Sequence, residues 1–218
     1  MTARITPKTA RGGFVLVEPK MGQEKKVITF QYNPDTLTRT LRPQTADNPG
    51  DRLESLRLKG PAQETYKFDA EFDAADQLDQ PDRYRIVAEH GLHPILAALE
   101  MSFSPTVKQL TGENDDARIG LIDIAPVEAP LTLLVLGTKR VLPVRITEFS
   151  VTEEAFDTAL NPIRAKVSVG AQVLSVDDLG FDHRGGQLYL RHQTRRELFA
   201  DLVTDSLGAV GLPSLPGV

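Results

Sequence analysis

Cysteine is missing from all 218 residues. That single absence excludes disulfide frameworks, thiolate zinc sites, iron–sulfur clusters and cysteine nucleophiles. An excess of basic charge is missing too. The 25 lysines and arginines face 30 acids, for a net charge of −5, which leaves no electrostatic footprint for nucleic acid or an anionic membrane. Long apolar runs are also lacking: no stretch approaches the roughly 18 residues of a membrane span. The opening MTARITPKTARGGF is basic, but it lacks the apolar segment of about 7–15 residues that a secretory signal needs. We therefore expect synthesis in the cytoplasm, no membrane insertion by this chain and no nucleic-acid partner. Catalytic templates are absent as well. There is no GxSxG elbow, no GxxxxGK[ST] phosphate cradle and no GxGxxG behind a strand.

What is present is ordinary globular material, 40% hydrophobic and 25% charged, enough for a buried core. At roughly 150 residues per domain, the length fits one large domain or a domain with an appendage. Phe14–Val17 and Val27–Tyr32 are short runs of β-branched and aromatic residues, and we expect a strand at each, joined by a turn through Pro19 and Gly22. Asn33-Pro34-Asp35 marks a further turn. Leu37, Arg39 and Leu41 then alternate with threonines, a third strand ending by Pro43. In Thr65–Asp73 the alternation is cleanest: Tyr66, Phe68, Ala70 and Phe72 on one face, Lys67, Asp69, Glu71 and Asp73 on the other.

Between Gln80 and Met101 the apolar spacing changes to the helical period, with Pro94 expected to break or kink the helix. Ser102–Pro130 reads as a long loop with one brief strand at Leu121–Ile124. The runs Leu131–Leu136 and Val141–Ile146 flank Gly137-Thr138 as a hairpin buried on both faces. Glu148–Phe156 and Ile163–Leu174 form a second strand pair around Asn161-Pro162. Beyond Asp177 the chain turns helical, with Leu188, Leu198, Phe199 and Leu202, and ends in a Gly/Pro tail that we expect to dock on a partner rather than join the core. The predicted class is α+β: an antiparallel, barrel-like sheet with one central helix and a C-terminal helical extension. The divisions are 1–12 as a flexible start, 13–175 as the β domain with loops at 44–61 and 102–130, and 176–218 as helix and docking tail.

Two clusters invite a metal reading. His90 and His93 lie three apart beside Glu89, but no HExxH pattern is present and a neighbouring carboxylate points elsewhere. The acids Asp69, Glu71, Asp73, Asp76, Asp79 and Asp82 fail the calcium-loop template. The first three are explained as the wet face of a strand, and Asp79 to Asp82 as caps ahead of a helix at Pro81. We assign no catalytic, cofactor or metal residue. The informative features are apolar residues in polar company: Leu53, Leu56 and Leu58 around Arg57 in the first long excursion, and Leu212 and Leu215 in the tail. Such segments are buried against another chain or fold back as lids.

Phe30-Gln31-Tyr32-Asn33-Pro34-Asp35-Thr36-Leu37 resembles the opening of the contractile injection system tube-protein family, whose members carry F-x-[YF]-N-P-x-x-[LYF]. The succession that follows is similar too: Leu56-Arg57-Leu58-Lys59-Gly60, the alternating strand to Phe72-Asp73, the helix around Pro94, the hairpin Leu131–Ile146 and the pair Phe149–Val173. The likeness covers about Gly13 to Ser175. It implies a structural, non-enzymatic baseplate or tube-initiator component of a phage-tail-like particle. Such a component forms a homo-oligomeric six-fold ring between the spike hub and the inner tube and touches other baseplate subunits. Longer relatives carry a LysM module, which Asp177–Val218 is too short to supply. On this reading Leu53, Leu56, Leu58 and Arg57 meet the adjacent subunit, and Leu198, Phe199, Leu202, Leu212 and Leu215 meet a baseplate or sheath neighbour. The alternatives are a polymerising inner-tube subunit and, in a different class, a small metal-dependent hydrolase.

Overall fold

A computed structural model describes residues 10–18, 24–45, 56–111 and 129–216. Within them the period-two segments become seven strands: β1 (Gly13–Val17), β2 (Glu24–Thr29), β3 (Leu37–Arg42), β4 (Gln63–Asp73), β5 (Leu131–Val135), β6 (Val141–Phe156) and β7 (Pro162–Val173). They form one sheet in the order β2-β1-β5-β6-β7-β4-β3, antiparallel at each junction. Side chains alternate as the sequence requires. Tyr66, Phe68, Ala70 and Phe72 of β4 and Ala165, Val167, Val169, Ala171 and Val173 of β7 are buried together on one face. The valines and phenylalanines among them each contribute about 1.5–3 kcal/mol by leaving water.

The helices are short. They are α1 (Ala75–Leu78), α2 (Arg85–His90), α3 (His93–Glu100), α4 over described residues 107–111, α5 (Val176–Leu179) and α6 (Arg184–Ala200), followed by a 3-10 turn at Leu207–Val210. Leu92, Leu96 and Leu99 around α3, with Val176 and Tyr189 from the C-terminal helices, complete the same core as the strands. The C-terminal region therefore enters the core at its start.

Four expectations are corrected. The sheet is an α+β antiparallel sheet as predicted, but it is not a closed barrel. It curls until Phe14 on β1 stands 6.2 Å from Phe68 on β4, with Phe30 edge-on between them, yet β2 and β3 remain at its two ends. The single helix over Gln80–Met101 is instead α2 and α3, and the break falls at Gly91, whose φ of +56° no helix tolerates. Pro94 lies in the first turn of α3, where its missing N–H costs nothing. The N-cap residues of α1, α2 and α3 make no side-chain capping bond, and at α1 it is Asp73 Oδ1 that accepts from the Ala75 N–H, so Asp79 and Asp82 do not serve as caps. Finally, the two runs from Val141 to Phe156 are one 16-residue strand. Its alternation slips because bulges interrupt it, the first between Ile146 and Glu148.

The second run of the sequence also shifts. β2 begins at Glu24 and ends at Thr29, because Phe30 onward bonds to the residues before β1 instead of continuing the ladder. The loop expected at 102–130 holds the helical turn α4, and its Leu121–Ile124 portion lies outside the described residues, as do 1–9 and Leu53.

Candidate interaction surfaces

The segment Phe30–Leu37 acts as a brace. Phe30 is fully buried and its N–H donates to the Gly12 carbonyl. The Gln31 amide bonds both ways to the Asp73 backbone: Nε2 donates to the carbonyl at 2.6 Å and Oε1 accepts from the N–H at 2.8 Å. Asn33 Oδ1 accepts from Gly12 N–H at 2.8 Å, and its Nδ2 donates to the Ala10 carbonyl. One short loop thus ties the approach to β1 to the far end of β4, strands with three others between them in the sheet. A groove of about 620 Å³ lies beside it, lined by Tyr32, Asp35, Thr38, Asp69, Glu71 and Lys166.

Among the described residues, β2 and β3 at the sheet's margins each have one unpaired side. Val27 on β2 and Leu41 on β3 are exposed, with Lys26, Arg39 and Arg42 nearby as the charges that discourage indiscriminate pairing. Between β3 and β4 the excursion closes at its base. Lys59 N–H donates to the Gln44 carbonyl, Gln44 Nε2 donates to the Pro61 carbonyl, and Thr45 bridges to Leu58. Closing that base pushes the next residues out: Leu56 is 94% exposed and Leu58 69%, with Arg57 exposed between them. The structure brings these three predicted residues into one protruding loop.

The wet face of the central strands is a charge lattice. Asp69 pairs with Lys166 at 2.8 Å and accepts from Ser168, Lys67 pairs with Glu148 at 2.9 Å, and Asp73 takes the Arg164 guanidinium at 2.8 Å. The Lys166 and Ser168 hydrogen bonds hold the Asp69 carboxyl below the usual carboxylate range. For Asp73 the Ala75 backbone N–H does so first, with Arg164 adding to it. These acids are the wet face of a strand, as their spacing predicts. His90 stands 3.8 Å from Glu89, both exposed. Among the described residues no three His, Asp or Glu side chains converge as a metal site would require.

Sequence reasoning missed the knot at the end of β4. Glu64 is only 2% exposed, on the core face in phase with Tyr66. Its carboxylate accepts from Tyr66 Oη at 2.8 Å, meets Arg39 Nε at 2.6 Å and takes Arg196 Nη2 on its other oxygen. Burial alone would raise the Glu64 pKa, but the bonds from Arg196 and Tyr66 and the two guanidinium charges outweigh it and hold the carboxyl low. Burial and the Glu64 charge push Tyr66 up to about 12. The signal was available. Extending the β4 alternation back two residues puts an acid on the apolar face, and Arg39 interrupts the apolar face of β3 beside it.

The outer part of α6 is half-buried on one side and exposed on the other. Its buried residues are Gly185, Gly186 and Tyr189, all in the first two turns. Farther on, Arg195 Nη1 donates to the Thr138 carbonyl at 2.7 Å, and Lys139 Nζ stands 5.4 Å from the Phe199 ring. Leu198, Phe199, Leu202, Leu212 and Leu215 are each exposed, Leu202 at 74%. The structure thus places these predicted residues along one outward arm.

No protein family model matches this chain, and no curated protein matches it. Among solved structures it is similar to a chain described as the tail of an empty GTA particle with C6 symmetry. The TM-score is 0.30 and the identity 11%, over 75% of this chain and 90% of that one. A likeness of that strength has no bearing on what the chain does.

Proposed function

We propose that this chain is a non-enzymatic structural subunit that closes head to tail into a ring, as the tube-initiator component of a phage-tail-like contractile particle. The observation that carries this reading is the pair of free margins. β2 and β3 lie at opposite ends of one curved, unclosed sheet, so the β3 side of one copy and the β2 side of the next present complementary hydrogen-bonding groups. Because the two margins differ, the contact is heterologous, and a constant rotation between copies generates a ring. The loop carrying Leu56, Arg57 and Leu58 then finds cover on the adjacent subunit, and the arm from Leu198 onward reaches a baseplate or sheath neighbour.

The resemblance of Phe30–Leu37 to tube proteins supports the particle and the six-fold closure between spike hub and inner tube. The folded residues give that motif a structural reason, since it fixes the sheet's curvature by tying β1 to β4. The test is assembly with Leu56→Asp. We expect the native mass to fall from a ring to a monomer, and particle yield to drop about tenfold or more, because a carboxylate cannot be buried unpaired at an interface. A Leu56→Asp protein that still forms rings overturns the loop assignment. A copy number rising with particle length identifies a polymerising tube subunit instead of a single-ring adaptor.

A further inference from the structure

We infer that α6 is an acid-releasable arm, latched to the sheet by the His192–Arg196–Glu64 chain and freed from residue 191 onward when His192 gains a proton. This goes beyond the ring reading and does not depend on it, since the latch lies within one chain.

The hydrogen-bond geometry fixes the protonation state. Arg196 Nη2 lies 3.0 Å from His192 Nε2, and a guanidinium can only donate. Nε2 must therefore accept, which leaves the ring proton on Nδ1. That atom is buried and has no hydrogen-bond partner among the described residues. The neutral imidazole is thus the form that the latch accepts. A proton added at Nε2 turns the acceptor into a donor and sets two cations against each other at the same distance.

The charges around the site are mostly positive and outweigh the one anion there. From β3 the site receives Arg39, from the β5–β6 turn Arg140, and from α6 itself Arg196. The facing anion is Glu64 of β4, whose oxygens already accept from Arg39, Arg196 and Tyr66. Tyr66 and Tyr189, the other titratable side chains packed there, are both pushed up and stay neutral; Asp177 and Asp178 of α5 act on Tyr189 from farther out. Burial first, then the Arg196 charge, moves His192 below its ordinary 6.5, against the smaller opposing pull of Glu64. Because the folded value is depressed, the latch is whole above about 6.5 and weakens as pH falls through the lower folded value.

Release is local because little else holds the outer helix. Past Tyr189 no residue of α6 is fully buried, although His192, Gln193, Arg195 and Arg196 are half-buried; among the described residues the other polar ties of this stretch to the sheet are the Arg195 bond to the Thr138 carbonyl and the Lys139–Phe199 stack. Both are polar and exposed, so they add little once the buried knot opens. The freed segment carries Leu198, Phe199 and Leu202, apolar residues that a partner can take up.

The absence of cysteine makes the experiment direct. Spin labels are attached to Thr138→Cys and Leu198→Cys, and the distance between them is measured at about pH 8 and about pH 4.5, a window that reaches below the ordinary histidine range as the depressed value of His192 requires. We expect one short, narrow distance at the higher pH and a longer, broader distribution at the lower. The same pair in His192→Gln, whose amide oxygen still accepts from Arg196 but does not titrate, is expected to stay short at both. Should that variant misfold by its far-ultraviolet spectrum, His192→Asn is read by the same criterion. The inference is overturned if the parent distance is unchanged on acidification, if the non-titrating variant shifts as the parent does, or if the sheet signal is lost together with the arm.

Discussion

Glu64 shows how one residue can fasten distant parts of a chain. It is a buried carboxylate with guanidinium groups on two sides, one from the edge strand β3 and one from the last helix. Removing its charge leaves both arginines facing a half-satisfied pocket, which is worse than never having had the pair. Glu64→Gln is therefore expected to destabilise the protein by about 3 kcal/mol, seen as a lower urea midpoint with an unchanged slope. The same charge sets an acid limit. The folded pKa values of Glu64, Asp69 and Asp73 all lie below their ordinary 4.5, 3.8 and 3.8. Their contribution is complete above those ordinary values and lost as pH falls through the lower folded ones. Thermal unfolding in Glu64→Gln should consequently fall off less steeply below about pH 4.5 than in the parent.

At the scale of elements, the junction between α2 and α3 explains why a helix that reads as continuous is cut. Gly91 turns at φ +56°, and a side chain there would meet the Pro162 carbonyl at 2.5 Å and Asn161 at 2.9 Å. In return, Leu92 N–H donates to the Pro162 carbonyl and Asn161 Nδ2 to the Glu89 carbonyl, stapling both helices to the tip of the β6–β7 hairpin. Gly91→Ala is expected to cost about 2–3 kcal/mol and to lower the melting midpoint by several degrees, measured by circular dichroism.

The period-two strands β3, β4 and β7 were legible in the sequence because a strand half exposed to water writes its faces directly into the alternation. β6 was not, since each bulge shifts the phase and makes one strand look like two. The helix break was attributed to Pro94 when the deciding residue was a glycine three positions earlier, whose constraint comes from a hairpin far away in sequence. Candidate surfaces followed the same rule. Leu56, Leu58 and the arm residues stood out as apolar among polar neighbours. The Glu64 knot joins three segments, and its members become meaningful only once β3 is laid against β4 and α6 across both.

For the whole molecule, the unclosed sheet is the property on which the proposed assembly rests. If the margins at β2 and β3 join neighbouring copies, charges placed on both exposed positions should oppose that union without touching the core. Val27→Lys together with Leu41→Lys is expected to leave the melting curve within about half a kcal/mol of the parent. The same pair should abolish the ring mass in native mass spectrometry. Persistence of the ring in that double variant would place the joint elsewhere.

The strand order has a consequence for biogenesis. The first four strands make two hairpins, β1–β2 and β3–β4, that emerge from the ribosome one after the other yet end up at opposite flanks of the sheet. The wedge between them, β5-β6-β7, is translated last, and Gly13 has to wait for Val135 before it gains its second neighbour. A nascent chain that has not passed Leu131 is thus two separate greasy ribbons, slow to mature and prone to cling to the wrong ribbon. On the proposed ring reading, the margins of one copy can meet those of another only once β5, β6 and β7 are in place, which sets subunit maturation ahead of assembly.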